Sequence, residues 1–147
     1  MNYPLLQQLI DASTRDQPAL TVELARLHLI ENPDERPALM MYGGALVELA
    51  RYAEARAVYE HALAVSPADK RAHVLCRLGE LCDARYEARE AERYYREAIV
   101  TAPAHASAYI YLGGLLAKTG RLEEAETSHR RATQSTVGEI DEAYLNL

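Results

Sequence analysis

The stretch LMMYGGALVELARYAEARAVYEHALAVSP, Leu39 to Pro67, decides the fold. Leu39, Tyr42, Gly43 and Leu46 are three and four residues apart, the spacing of one face of an α-helix. A turn is expected around Ala50–Tyr52, after which Ala55, Tyr59 and Ala62 mark a second helical stripe. Pro67 ends it, because proline has no amide hydrogen to continue a helix and disfavours helical geometry in the residue before it. The stretch therefore predicts two helices joined by a tight turn.

The same pattern returns along the chain. Gly43, Gly79 and Gly113 are 36 and 34 residues apart. The sets Ala55, Ala91, Ala125, then Tyr59, Tyr95, His129, then Ala62, Ala98, Ala132 keep those two spacings. Prolines recur at Pro33, Pro67 and Pro103, and a bulky column runs Leu5, Leu39, Leu75, Tyr109 and Tyr144. Such agreement defines a repeat of about 34 residues. Small columns let two helix axes approach, and the signature glycine is expected to face the alanines of the second helix.

These columns resemble the tetratricopeptide repeat family. The resemblance rests on Leu39…Tyr42-Gly43…Leu46…Tyr52…Ala55…Tyr59…Ala62…Pro67, on Leu75…Leu78-Gly79…Ala91…Tyr95…Ala98…Pro103, and on Tyr109…Leu112-Gly113…Gly120…Leu122…Ala125…Ala132. It implies an all-α, right-handed solenoid of antiparallel hairpins, about four and a partial fifth. One domain is expected over 1–147, with a degenerate hairpin at 2–35, repeats at 36–69, 72–105 and 106–140, and the opening of another at 141–147. In the first hairpin Leu9, Thr21 and His28 stand where the signature has small residues, as terminal repeats often allow. Two extra residues near Asp69-Lys70-Arg71 are expected to lengthen the next helix by half a turn at its start, with Asp69 or Ser66 as cap. In the last full unit His129 replaces the aromatic and Val137 the proline, which predicts a looser second helix.

Composition agrees. The 147 residues include 25 alanines and 20 leucines, while Val, Ile and Thr together number 19, a bias toward helix over strand. No apolar run approaches the ~18 residues of a membrane span, and the N-terminus has no basic, secretory-type segment. Residues 1–35 carry two basic and six acidic groups, and positions 36–140 are balanced. The absence of a basic stripe argues against nucleic acid, against the RNA-binding pentatricopeptide repeats, and against anionic membranes. A cytoplasmic location is expected, with Cys76 and Cys82 unable to pair because they lie on different faces of one helix.

In stacked hairpins the first helices line the inner face. Opposite their packing stripes lie Tyr3, Leu6 and Ile10, then Pro37, Met40, Met41, Gly44 and Val47. The later units contribute His73, Cys76, Arg77, Glu80 and Asp83, then Ser107, Ile110, Tyr111, Gly114 and Lys118. The early part is apolar and adaptable, as methionine allows, and the third unit is polar. A glycine in a groove lets a ligand backbone approach; packing of the methionines on a neighbouring hairpin is the alternative. His73, Cys76 and Glu80 include metal-ligating types, but Arg77 lies among them and no further ligand stands at a recognisable spacing, so no metal or other cofactor is expected.

The chaperone-tail clamp of some tetratricopeptide proteins uses lysine, asparagine and arginine in this stripe. Met40 and Gly44 occupy those places here, and only Arg77 and Lys118 carry positive charge. The asparagine ladder of glycosyltransferase-linked repeats is replaced by Met41, Arg77 and Tyr111. Gly113–Gly120 lacks the glycine before the lysine and the preceding strand that a phosphate loop needs. Lys118-Thr119-Gly120 has no Ser-x-x-Lys companion, and the five histidines have no evident catalytic partners. Glu92/Arg96 and Arg93/Glu97 suit a solvated outer face.

The expected function is a non-enzymatic scaffold that takes a peptide or helix of another protein. The alternatives are a regulatory segment of a larger protein, such as a glycosyltransferase, and a secretion-system chaperone. Asp141–Leu147 places Tyr144 in the bulky column just before a signature glycine would fall. This suggests a repeat cut midway, with an exposed apolar edge able to form a weak homodimer.

Overall fold

A computed structural model describes residues 3–134. They form eight helices: α1 (Tyr3–Thr14), α2 (Pro18–Glu31), α3 (Arg36–Glu48), α4 (Tyr52–Val65), α5 (Ala68–Ala84), α6 (Ala88–Thr101), α7 (Ala106–Lys118) and α8 (Leu122–Thr133). The expected partial repeat at 141–147 lies outside the described residues. The chain divides into two compact units, one up to Ser66 and one from Pro67 onward. In the first, α1 packs on α2, α2 on α3, α3 on α4, and α1 also on α3. In the second, α5 packs on α6, α6 on α7, α7 on α8, and α5 also on α7. Each unit thus holds two hairpins whose first helices touch.

One turn closes every hairpin. Asp16, Ala50, Tyr86 and Gly120 all have left-handed backbones, with φ of 57°, 58°, 60° and 82°. After each, an amide reaches back to the helix: Gln17 to the Ala12 carbonyl at 3.0 Å, Arg51 to Leu46 at 2.8 Å, Glu87 to Cys82 at 2.9 Å and Arg121 to Leu116 at 2.9 Å. This arrangement satisfies carbonyls that the helix end leaves open. Glycine suits the position best, yet only the last hairpin has one.

The glycine column faces the aromatic column, not the alanines as expected from sequence. A Cβ at Gly43 would lie 2.7 Å from Tyr59 Cδ1, and one at Gly79 would lie 2.7 Å from Tyr95 Cδ1. A Cβ at Gly113 would lie 2.5 Å from His129 Cδ2. The rings fill the space the missing side chains leave, so the imidazole of His129 keeps the aromatic's place. The alanines Ala55, Ala91 and Ala125 are themselves buried.

The degenerate first hairpin solves the same problem with the sizes exchanged. Leu9 stands in the glycine column and Ala25 in the tyrosine column, and both are fully buried in one apolar cluster. Thr21 and His28, at alanine positions, are buried too. The Thr21 hydroxyl donates to the Gln17 carbonyl at 2.9 Å, and His28 Nε2 pairs with the Glu35 carboxylate. His61 Nε2 lies 2.9 Å from Asp34 Oδ1, so both histidines tie down the loop between α2 and α3.

The insertion before the third repeat acts differently from expectation. Helix α5 has 17 residues where α3 and α7 have 13, and the extra four all lie at its start, a full turn. Pro67 is its N-cap, without a side-chain cap. The Ser66 hydroxyl instead donates back to the Ala62 carbonyl at 2.6 Å, and Asp69 lies in the first turn.

Candidate functional site

In the second unit, the C-terminal half of α5 and one face of α7 flank an open pocket of about 720 Å³. Glu80 and Asp83 come from α5; Ile110, Tyr111, Gly114, Leu115 and Lys118 come from α7. The floor includes Tyr95 of α6, which reaches the pocket because Gly79 leaves room beneath its ring. Tyr86, in the turn after α5, forms part of the rim.

The rings of Tyr95 and Tyr111 are stacked, with centroids 5.7 Å apart and planes 16° from parallel. Their separation is within the range of favourable aromatic pairs. Lys118 Nζ donates to both oxygens of Asp83 at 2.8 and 2.6 Å, tying the end of α7 to the end of α5. Glu80 pairs with Arg77 one turn earlier. Burial, and then the nearby carboxylates of Glu80 and Asp83, push the Tyr95 phenol well above its ordinary pKa and keep it protonated. A Cβ added at Gly114 would meet nothing within 4 Å, so this glycine faces open space.

Six of the residues expected at the groove, Glu80, Asp83, Ile110, Tyr111, Gly114 and Lys118, thus line one pocket. Others lie elsewhere. Cys76 is 1% exposed and belongs to the core; burial raises its thiol pKa to about 12. Ile110 is largely buried in the core cluster with Tyr109 and Ala132 while also touching the pocket. Met41 packs against the cluster of Leu9, Leu24, Ala25 and Ala38, so its neighbour-packing alternative applies. Met40, Gly44 and Val47 are half-buried on α3, and His73 and Arg77 are half-buried on α5. The sequence reading missed Tyr86 and Tyr95. A tyrosine opposite a glycine was the available signal for Tyr95, because a ring above a glycine can pass beyond it.

Outside the pocket, Arg96 Nε donates to Glu92 at 2.8 Å, while Arg93 lies 2.9 Å from Glu90 and 3.9 Å from Glu97. Arg121 joins Glu92 at 2.5 Å and Glu124 at 2.6 Å. No described helix is long and apolar enough to cross a membrane.

Residues 37–69 and 105–136 each match a family profile described as tetratricopeptide repeat. Among solved structures, the chain is similar to a thermophilic protein of this repeat type, TTC0263 from Thermus thermophilus. That match has 18% identity and a TM-score of 0.81, over 97% of this chain and 77% of that one. It is similar to MamA from Desulfovibrio magneticus RS-1, with 19% identity and a TM-score of 0.77, over 97% and 77% of the two chains. It is also similar to PilF of Pseudomonas aeruginosa, with 23% identity and a TM-score of 0.74, over 94% and 62%. No curated protein sequence matches it. The fold is an all-α solenoid of helical hairpins. The chain is a tetratricopeptide-repeat protein, of the class that serves as protein–protein interaction scaffolds and is typically non-catalytic.

Proposed function

We propose that the chain binds a peptide or helical segment of a partner protein in the groove formed by its first helices, and that the pocket between α5 and α7 is where the segment anchors. The observation that carries this reading is the Tyr95–Tyr111 stack beside an open glycine, Gly114, in a concave site. The half-buried Tyr111 ring with a gap beside it suits an incoming side chain and its backbone, and aromatic anchors dominate many interfaces. Met40, Gly44 and Val47 on α3 are the residues proposed for the corresponding face of the first unit.

The test is site-specific photo-crosslinking in cells that make the protein. A crosslinking residue at Tyr111 should give a defined partner adduct, and one at the exposed Arg93 on α6 should not. Tyr111→Glu and Met40→Glu should lower the recovery of that partner. Equal adducts from positions 111 and 93, or unchanged recovery with both substitutions, would remove the groove assignment.

A further inference from the structure

The rim residue Tyr86 is out of place in two respects. Its backbone is left-handed, with φ of 60°, where the equivalent positions hold Asp16, Ala50 and Gly120. A bulky aromatic there is strained. Its side chain is 95% exposed, so packing within the chain does not offset that strain. A second tyrosine lies at the floor. Tyr95 is 2% exposed and lines the pocket, so the little of it that is accessible faces the space a ligand would occupy.

The charges define the ligand further. Glu80 and Asp83 both line the pocket, Glu80 paired with Arg77 one turn earlier on α5. Helices α5 and α7 both end there, at Ala84 and Lys118, and helix C-termini carry partial negative charge. Lys118 is the one cation among the described residues of the lining, and it is already held by Asp83. Its ammonium shows where a positive group fits, and its commitment to Asp83 leaves no free cation among the described lining residues for an anionic ligand.

Resting on the groove reading above, we propose that this pocket recognises an arginine side chain of the partner segment, laid against the Tyr86 and Tyr111 rings and opposite the Asp83 carboxylate. A guanidinium is flat, stacks on aromatic faces and forks onto a carboxylate, which a lysine ammonium does less well. On entry it displaces Lys118 from Asp83. The Tyr95 hydroxyl then donates to a main-chain carbonyl of the segment, and Gly114 lets that backbone come close.

The test uses three acetylated, amidated five-residue peptides, alanine except for a central arginine, citrulline or glutamate. Each is titrated into the full chain and followed through the amide resonances of Tyr86, Tyr111 and Gly114. The arginine peptide should shift these signals, and its neutral isostere citrulline should bind about fivefold more weakly. Asp83→Asn should weaken the arginine peptide about fivefold, and Lys118→Met should tighten it about threefold by removing the competing cation. Asp83 and Lys118 lie at the surface end of the pocket, and unchanged spectra elsewhere establish that both variants fold. Stronger shifts with the glutamate peptide, or weaker arginine binding in Lys118→Met, would overturn the proposal. Silence from all three peptides would overturn it too, while a crosslink from position 111 would still support the groove.

Discussion

Gly79 and Tyr95 share one volume: the tyrosine Cδ1 lies 2.7 Å from where a side chain on residue 79 would begin. The pair sets the spacing of α5 and α6 and also delivers the Tyr95 ring to the pocket. Gly43 with Tyr59 and Gly113 with His129 repeat the relationship, and Leu9 with Ala25 inverts it.

That inversion gives the first prediction. Gly79→Leu alone should be destabilising by ~1–3 kcal/mol or more, since the ring has nowhere to go. Adding Tyr95→Ala should recover part of the loss, as Leu9 and Ala25 already coexist. A double-mutant cycle by urea denaturation would show coupling of opposite sign to the single losses; simple additivity would refute the shared-volume account.

The Tyr95 ring and its hydroxyl should separate cleanly. Tyr95→Phe is expected to change stability by less than about 0.5 kcal/mol, because the ring keeps its packing over Gly79 and against Tyr111. Tyr95→Ala should lose ~3–5 kcal/mol through the cavity it leaves. Similar losses in the two variants by chemical denaturation would place the stabilisation in the hydroxyl instead.

The cysteines should be silent in the native state. Cys76 and Cys82 are buried free thiols, and burial, with a smaller contribution from Glu80, pushes the Cys76 pKa from its ordinary 9.0 to about 12. At pH 8 a thiol-specific chromogenic reagent should label neither until urea unfolds the chain. The folded state holds the Cys76 proton more tightly than the unfolded one. Stability is therefore fully present below pH 9 and falls as pH rises toward 12. A Cys76→Ala variant should show a shallower alkaline loss.

Arg121 bridges Glu124 in its own helix and Glu92 on α6. These groups are substantially exposed, so Arg121→Ala should destabilise only slightly. The difference from the unsubstituted chain should shrink in ~1 M salt, where charges a few ångströms apart are screened. A salt-independent loss would point to packing of the arginine stem.

The repeat was legible because its cause is local. A 34-residue recurrence of glycine, aromatic and alanine at helical spacing leaves few ways for two helices to close on each other. The turn before Tyr52 and the helix ends before Pro33, Pro67 and Pro103 follow from backbone chemistry that sequence shows directly. The stripe containing Glu80, Tyr111, Gly114 and Lys118 was legible for the same reason, since residues on one helix keep a known angular relation.

What only the tertiary structure decided was which side chain meets which. Glycine faces tyrosine rather than alanine because the ring needs the larger gap, and periodicity alone assigns both to a buried stripe without ranking their partners. Cys76 shares the stripe of Glu80 but turns into the core, since that stripe straddles the edge between packing and solvent. Tyr86 reads as an ordinary turn residue until its left-handed backbone and its place on the pocket rim are seen. The sequence by itself determined the hairpins, because they arise from contacts a few residues apart. The tertiary structure decided the pocket, because Tyr95, Tyr111, Asp83 and Lys118 come from three helices and meet only once those helices have packed.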